Sequence, residues 1–101
     1  MVVQELGHLV LYVRDIEASR RFYRDTLGWN EISRAPVPGV AAFSSGRTHH
    51  ELLLLEVGPH AEPPPRGPRL GLYHFGLKVG ETDEELRAVL DTLRWNKVRI
   101  V

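Results

Sequence analysis

Two stretches decide how this chain is read, His8-Leu9-Val10-Leu11-Tyr12-Val13 and His74-Phe75-Gly76-Leu77-Lys78-Val79. Laid one over the other, they bring Asp25-Thr26-Leu27-Gly28-Trp29-Asn30 onto Asp91-Thr92-Leu93-Arg94-Trp95-Asn96 without a gap. Agreement at His, Leu, Val, Asp-Thr-Leu and Trp-Asn in one register marks an internal repeat, and a repeat governs the fold before any single element does.

Each copy reads as strand, helix, strand. In the first, Leu6 to Val13 is rich in β-formers and Asp15 can cap a helix through its carboxylate. Ile16, Ser19, Phe22, Tyr23 and Leu27 then recur at helical spacing until Gly28, which predicts an amphipathic helix of about three turns. Next come a strand at Asn30 to Arg34, a Pro-Gly turn at Pro38-Gly39, a strand at Val40 to Ser44, a Ser-Gly-Arg turn and a strand at His50 to Val57. Residues 1–57 are therefore expected to form a βαβββ module. Gly58 to Gly71, with five prolines in GPHAEPPPRGPRLG, is expected to be a linker.

The second copy, 72–101, offers a strand at Tyr73 to Val79 and a capping box at Thr82 and Glu85. Leu86, Val89, Leu90 and Leu93 follow as an apolar helical stripe, then only Lys97 to Val101 as a partial strand. By the repeat's own measure its later strands are missing, so either the sequence is truncated or a partner supplies them. The expected class is α+β, with a curved mixed sheet around a cleft and helices outside. Trp29 and Trp95, repeated after each helix, are expected to be packing residues.

Composition narrows the function. The 101 residues carry 13 Lys+Arg against 13 Asp+Glu, so no field strong enough to capture nucleic acid or an acidic membrane is expected. No cysteine is present, which removes thiolate metal sites and thiol nucleophiles and leaves His, Asp and Glu as ligands. The N-terminal segment lacks the basic and apolar regions of a signal peptide, and no apolar run approaches the roughly 18 residues of a membrane span, so a cytoplasmic protein is expected. Phosphate-binding glycine loops and nucleophile elbows are absent, which leaves phosphoryl transfer and serine hydrolysis without support. Arg20, Arg21 and Arg24 read as a solvated helix face.

His8 and His74 hold equivalent places in the repeat, near the starts of strands. If the two modules pair about a pseudo-twofold axis the imidazoles converge, and two imidazoles with one carboxylate make the facial triad of non-haem Fe(II) enzymes. Glu51 is the nearest carboxylate in the chain. Period-two alternation sets it on the face of Leu53, with Glu56 on the other. Tyr12 and Tyr73 could hydrogen-bond an oxygen substrate, or simply pack; His49 and His50 read as a polar strand entry.

LGHLVLYVRDIEASRRFYRDTLGW resembles the opening of a vicinal-oxygen-chelate module, the superfamily of glyoxalases, bleomycin-resistance proteins and extradiol dioxygenases. GRTHHELLLLEVG, the Pro-rich loop and LGLYHFGLKV together resemble members related to catechol 2,3-dioxygenase. The resemblance implies that His8 and His74 are the two histidine ligands of a divalent metal, Fe(II) above all, with Mn(II) or Zn(II) as alternatives. Glyoxalase-like members take a further ligand from a glutamate where this chain has Leu53. Dioxygenase-like members take theirs from the last strand of the following module, which would lie beyond Val101.

The function so implied is a metal-dependent oxidoreductase acting on a small vicinal-diol, catecholic substrate, in a homodimer. A metal-free small-molecule binding module of the drug-resistance type and a glyoxalase-like lyase or isomerase are the alternatives.

Overall fold

Four successive leucines, Leu52 to Leu55, form the central strand of the only sheet among the described residues, 1–32 and 37–101 of this computed structural model. The elements run β1 (Leu9–Val13), α1 (Ile16–Arg20) continuing as a π-helical segment (Arg21–Thr26), β2 (Val40–Phe43), β3 (Leu52–Glu56) and α2 (Asp83–Trp95). The sheet order is β1-β3-β2, with β3 parallel to β1 and antiparallel to β2. The chain divides into two units, Met1–Ala61 and Glu62–Val101.

The first unit follows the expected path. Asp15 caps α1, its carboxylate accepting hydrogen bonds from the amides of Glu17 and Ala18 at 3.0 and 3.2 Å. After Arg20 the helix widens. Leu27 N–H reaches the carbonyl of Phe22, five residues back, and Gly28 then turns the chain at φ 73°. The widened end carries Tyr23 to the sheet, where its ring, that of Trp29 and that of Phe43 lie 5.9 to 6.3 Å apart.

Alternation along the strands sorts the two sheet faces. Leu52 and Leu54 of β3 point to the helix side with Ala41, Phe43 and Ile16, and these five residues form the buried core. Leu11, Val13, Tyr23 and Trp29 pack around them. The opposite face carries Val10 and Tyr12 of β1, both exposed, with Leu53 and Leu55 half-buried beside them.

The strand expected at Asn30 to Arg34 is reduced, within the described residues, to one antiparallel bridge between Glu31 and Phe43; residues 33–36 lie outside the description. The bridge is braced by charge. Arg20 donates to Glu31 at 2.6 Å, pairs also with Glu17 and reaches the Val40 carbonyl. Arg24 donates to the other oxygen of Glu31. The basic residues expected to be a merely solvated face thus include two, Arg20 and Arg24, that tie the helix to the bridge beside β2.

In the second unit the helix is as expected and the strands are not. Thr82 caps α2 by accepting from the Glu85 amide, while the Glu85 carboxylate accepts from the amide of Glu81, one residue before the cap, in place of Thr82's own amide as the expected capping box would have it. Val89, Leu90 and Leu93 are half-buried along one side. Tyr73 to Val79 and Lys97 to Val101 form no strand. A strand exists only where a neighbour takes up its amides and carbonyls, and this unit contains no paired neighbour. Trp95 is a second correction, being 86% exposed where packing was expected. Its counterpart Trp29 has Phe43 and Tyr23 to cover it; Trp95, in a unit without a sheet, does not.

No helix among the described residues is long and apolar enough to cross a membrane.

Candidate functional site

His8 stands immediately before β1, on the side of Val10 and Tyr12, with the backbone amide of the next residue, Leu9, donating to the Glu51 carbonyl at 2.8 Å. The parallel register of β1 and β3 thereby sets His8 beside the entry to β3. The ring of His50 lies against it, 4.9 Å between centroids and tilted by 45°. His49 follows edge-on to His50 at 5.3 Å, with the two Nδ1 atoms 3.0 Å apart. That contact is the one hydrogen bond made by these three rings among the described residues, so both nitrogens of His8 are uncommitted.

The Ser44–Glu51 turn holds this group in place. Glu51 directs its carboxylate back across the turn rather than toward His8. One oxygen accepts from the amide of Ser45 at 2.7 Å and from its hydroxyl. The other accepts from Ser44 Oγ at 2.9 Å and lies 3.1 Å from Thr48 Oγ1. Partial burial by itself would raise the Glu51 pKa, but the hydroxyl and amide of Ser45, then the hydroxyls of Ser44 and Thr48, outweigh it and hold the carboxyl at about 2. The same turn grips the chain ahead of His8. Arg47 donates to the carbonyls of Leu6 and Gly7, at 2.9 and 3.4 Å, and pairs with Glu5 at 2.7 Å.

Of the residues singled out from sequence, the first unit holds His8, Tyr12 and Glu51. Tyr12 is on the His8 side of β1 and 76% exposed. His74 and Tyr73 belong to the second unit, where their rings meet edge-on at 4.9 Å and both side chains are exposed. His50, read from sequence as a polar strand entry, also lies against the His8 ring. The parallel pairing of β1 with β3 was the missing signal, because it alone brings His50 to His8.

The donor chemistry fits a divalent metal in its imidazoles and falls short in its carboxylate. His8 offers free nitrogens, whereas a metal could reach Glu51 only by breaking its bonds to the turn. Among the described residues no group of three or more His, Cys, Asp or Glu side chains is arranged to hold a metal ion. An open cavity of about 710 Å³ beside the turn is lined by Trp29, Asn30, Ser44, Thr48 and His49 among others.

The model of the glyoxalase/bleomycin resistance protein/dioxygenase superfamily matches residues 5–101. The chain belongs to that superfamily. A curated relative of this superfamily chain is the iron-dependent extradiol dioxygenase of Rhodococcus jostii (strain RHA1), 32% identical over 110 residues. That match takes in 96% of this chain and 33% of the relative, so the superfamily chain spans about a third of the curated protein's length.

Among solved structures, a glyoxalase/dioxygenase from Nostoc punctiforme superposes with a TM-score of 0.75 at 24% identity, over 97% of this chain and 73% of that one. An integron cassette protein from the mobile metagenome of V. cholerae gives 0.64 at 29% identity, over 100% and 73%. Both likenesses support the α+β fold of the glyoxalase/dioxygenase superfamily.

Proposed function

We propose that this chain is part of a metal-dependent oxidoreductase resembling extradiol ring-cleaving dioxygenases, acting on a small vicinal-diol substrate. The observation that carries the reading is His8, its nitrogens uncommitted at the end of an open apolar sheet face, in a chain 32% identical to an iron-dependent extradiol dioxygenase. His8 and His74 are the proposed ligands of Fe(II), with Mn(II) or Zn(II) as substitutes. Glu51, bound to its own turn, would have to leave it to serve as the third ligand.

Such a metal, when bound, acts as a Lewis acid toward both diol oxygens. The chain's own side chains supply the rest. Val10 and Leu53 give an apolar wall for a planar ring, and the Tyr12 and Tyr73 hydroxyls can donate to a substrate oxygen. His50, against His8, is placed to take up a diol proton. A homodimer in the cytoplasm belongs to the same proposal.

Metal analysis of protein purified without chelator, beside His8→Ala and His74→Ala, tests the reading. About one iron or manganese per chain, lost in both variants, supports it. No metal after anaerobic Fe(II) loading overturns it. The second reading, a small-molecule binding module without metal, is favoured by the commitment of Glu51 to its turn. Saturable catechol binding unchanged in the two histidine variants would select it.

A further inference from the structure

We infer that Glu51 and Arg47 are positioning residues, which use the Ser44–Glu51 turn to hold His50 and His8 together. The inference rests on the proposed role of His8 and gives Glu51 a different part from the metal ligand that its sequence position suggests.

The short connection between β2 and β3 is not shaped by strand pairing along its whole length. The ladder fixes Phe43 opposite Leu52 and ends there. Ser45 to His50 lie outside it, and a six-residue connection built of Ser, Gly, Arg, Thr and His has no apolar anchor of its own. Polar contacts must select its shape. The largest set converges on one carboxylate: Ser44 Oγ, the Ser45 amide and hydroxyl, and the Thr48 amide and hydroxyl all lie within hydrogen-bond distance of Glu51. Thr48 Oγ1 is also 2.8 Å from the His50 carbonyl, so the backbone of the histidine itself is part of the knot.

With the Glu51 carboxylate turned into the turn, the ring of the residue before it, His50, meets that of His8. Arg47, from the same turn, closes the arrangement on the β1 side. Its guanidinium holds the Leu6 and Gly7 carbonyls, which directly precede His8. One turn therefore grips the backbone on both sides of the His8–His50 contact, by an anion at one end and a cation at the other. Charge-assisted hydrogen bonds are the strong ones available to such a turn. A metal-ligating histidine depends on its surroundings for orientation, and losing an outer partner typically costs 10- to 100-fold in metal affinity.

The test is Glu51→Gln and, separately, Arg47→Gln in the full chain. Two readouts are taken: the nuclear Overhauser effect between the His8 and His50 ring protons, and Co(II) affinity by titration. Near-UV circular dichroism from Trp29 and Tyr23 reports whether the core persists. Loss of the ring–ring effect in both variants with the core signal intact, and Co(II) binding weakened about tenfold or more, is the expected result. A folded Glu51→Gln protein that keeps the effect at wild-type strength overturns the proposal.

Should Glu51→Gln not fold, Thr48→Val removes a single hydroxyl of the same knot, and persistence of the ring–ring effect there is equally fatal. If wild-type protein binds no Co(II), the metal reading falls, and the ring–ring effect alone still decides whether Glu51 and Arg47 position the histidines.

Discussion

The Glu56 carboxylate, at the end of β3, accepts a hydrogen bond of 2.8 Å from the backbone amide of Ile16, the first residue of α1. Asp15 takes the next two amides, so two carboxylates from distant parts of the chain share one helix start. A helix begins with four amides that have no partner inside it, and their partial positive charge favours anions. Glu56→Ala should cost about 1–2 kcal/mol in urea unfolding. Glu56→Gln, which keeps an acceptor oxygen, should cost less; equal losses in the two variants would refute this account of the contact.

Acid should weaken the Ser44–Glu51 turn through the Glu51 carboxylate, which gives up its charge in the folded protein only at low pH. Against the partial burial that would raise it, hydrogen bonds from Ser45, Ser44 and Thr48 hold the Glu51 carboxyl at about 2, well below the usual carboxylate range. Its stabilising effect is complete above the unfolded value and is lost as pH falls through that window, because the unfolded chain then binds the proton more readily. Unfolding free energy of the wild type should therefore drop between about pH 5 and pH 2 more steeply than that of Glu51→Gln. Parallel curves in denaturant titrations would show that the carboxylate contributes nothing.

Gly39 turns the chain into β2 at φ 74°, and a Cβ placed there meets only the Glu56 Cβ, at an ordinary 3.6 Å. Any loss in Gly39→Ala is therefore one of backbone strain rather than collision, and should be about 1–2 kcal/mol. Gly39→Asn, better suited to a positive φ, should recover part of it in the same thermal melts.

The two tryptophans should be distinguishable in solution. Trp29 packs against the core and its indole nitrogen is buried without a partner among the described residues, whereas Trp95 is 86% exposed. Trp95→Phe should remove the red-shifted, acrylamide-quenchable part of the emission and leave a blue-shifted remainder. A remainder still quenched like free indole would contradict the packing of Trp29.

Phe43 has no exposed surface and touches both Tyr23 and Trp29. Phe43→Ala should cost about 3–5 kcal/mol, a large share of the roughly 5–15 kcal/mol that stabilises a domain of this size, and should lower the unfolding midpoint accordingly. Circular dichroism would register the loss directly.

Much of the first unit was legible from residue order because its signals are local. Asp15 as cap, Gly28 as terminator and the alternation that separates Leu52 and Leu54 from Leu53 and Leu55 all depend on neighbours a few positions away. Glu56 fell on the helix side as alternation required. The second unit obeyed the same rules only where they remain local: Thr82 and Glu85 cap α2, but Tyr73 to Val79 formed no strand, since pairing depends on a partner that propensity does not supply.

At the candidate site the limit was different. His8 was marked by its place in the repeat, while the meeting of His8 with His50 depends on a parallel register that periodicity cannot reveal. The inward turn of Glu51 depends on hydroxyls at Ser44, Ser45 and Thr48, whose side chains could as well have faced water.

That parallel register also sets a timetable. Leu9 pairs with Leu52, so β1 has no partner until the whole intervening chain has been made. The hairpin of β2 and β3 closes a short loop, and α1 needs only its own neighbours and a cap. During synthesis the first strand must therefore wait, apolar and unpaired, while later segments find their places, and the slow event of folding should be its late docking against the finished hairpin.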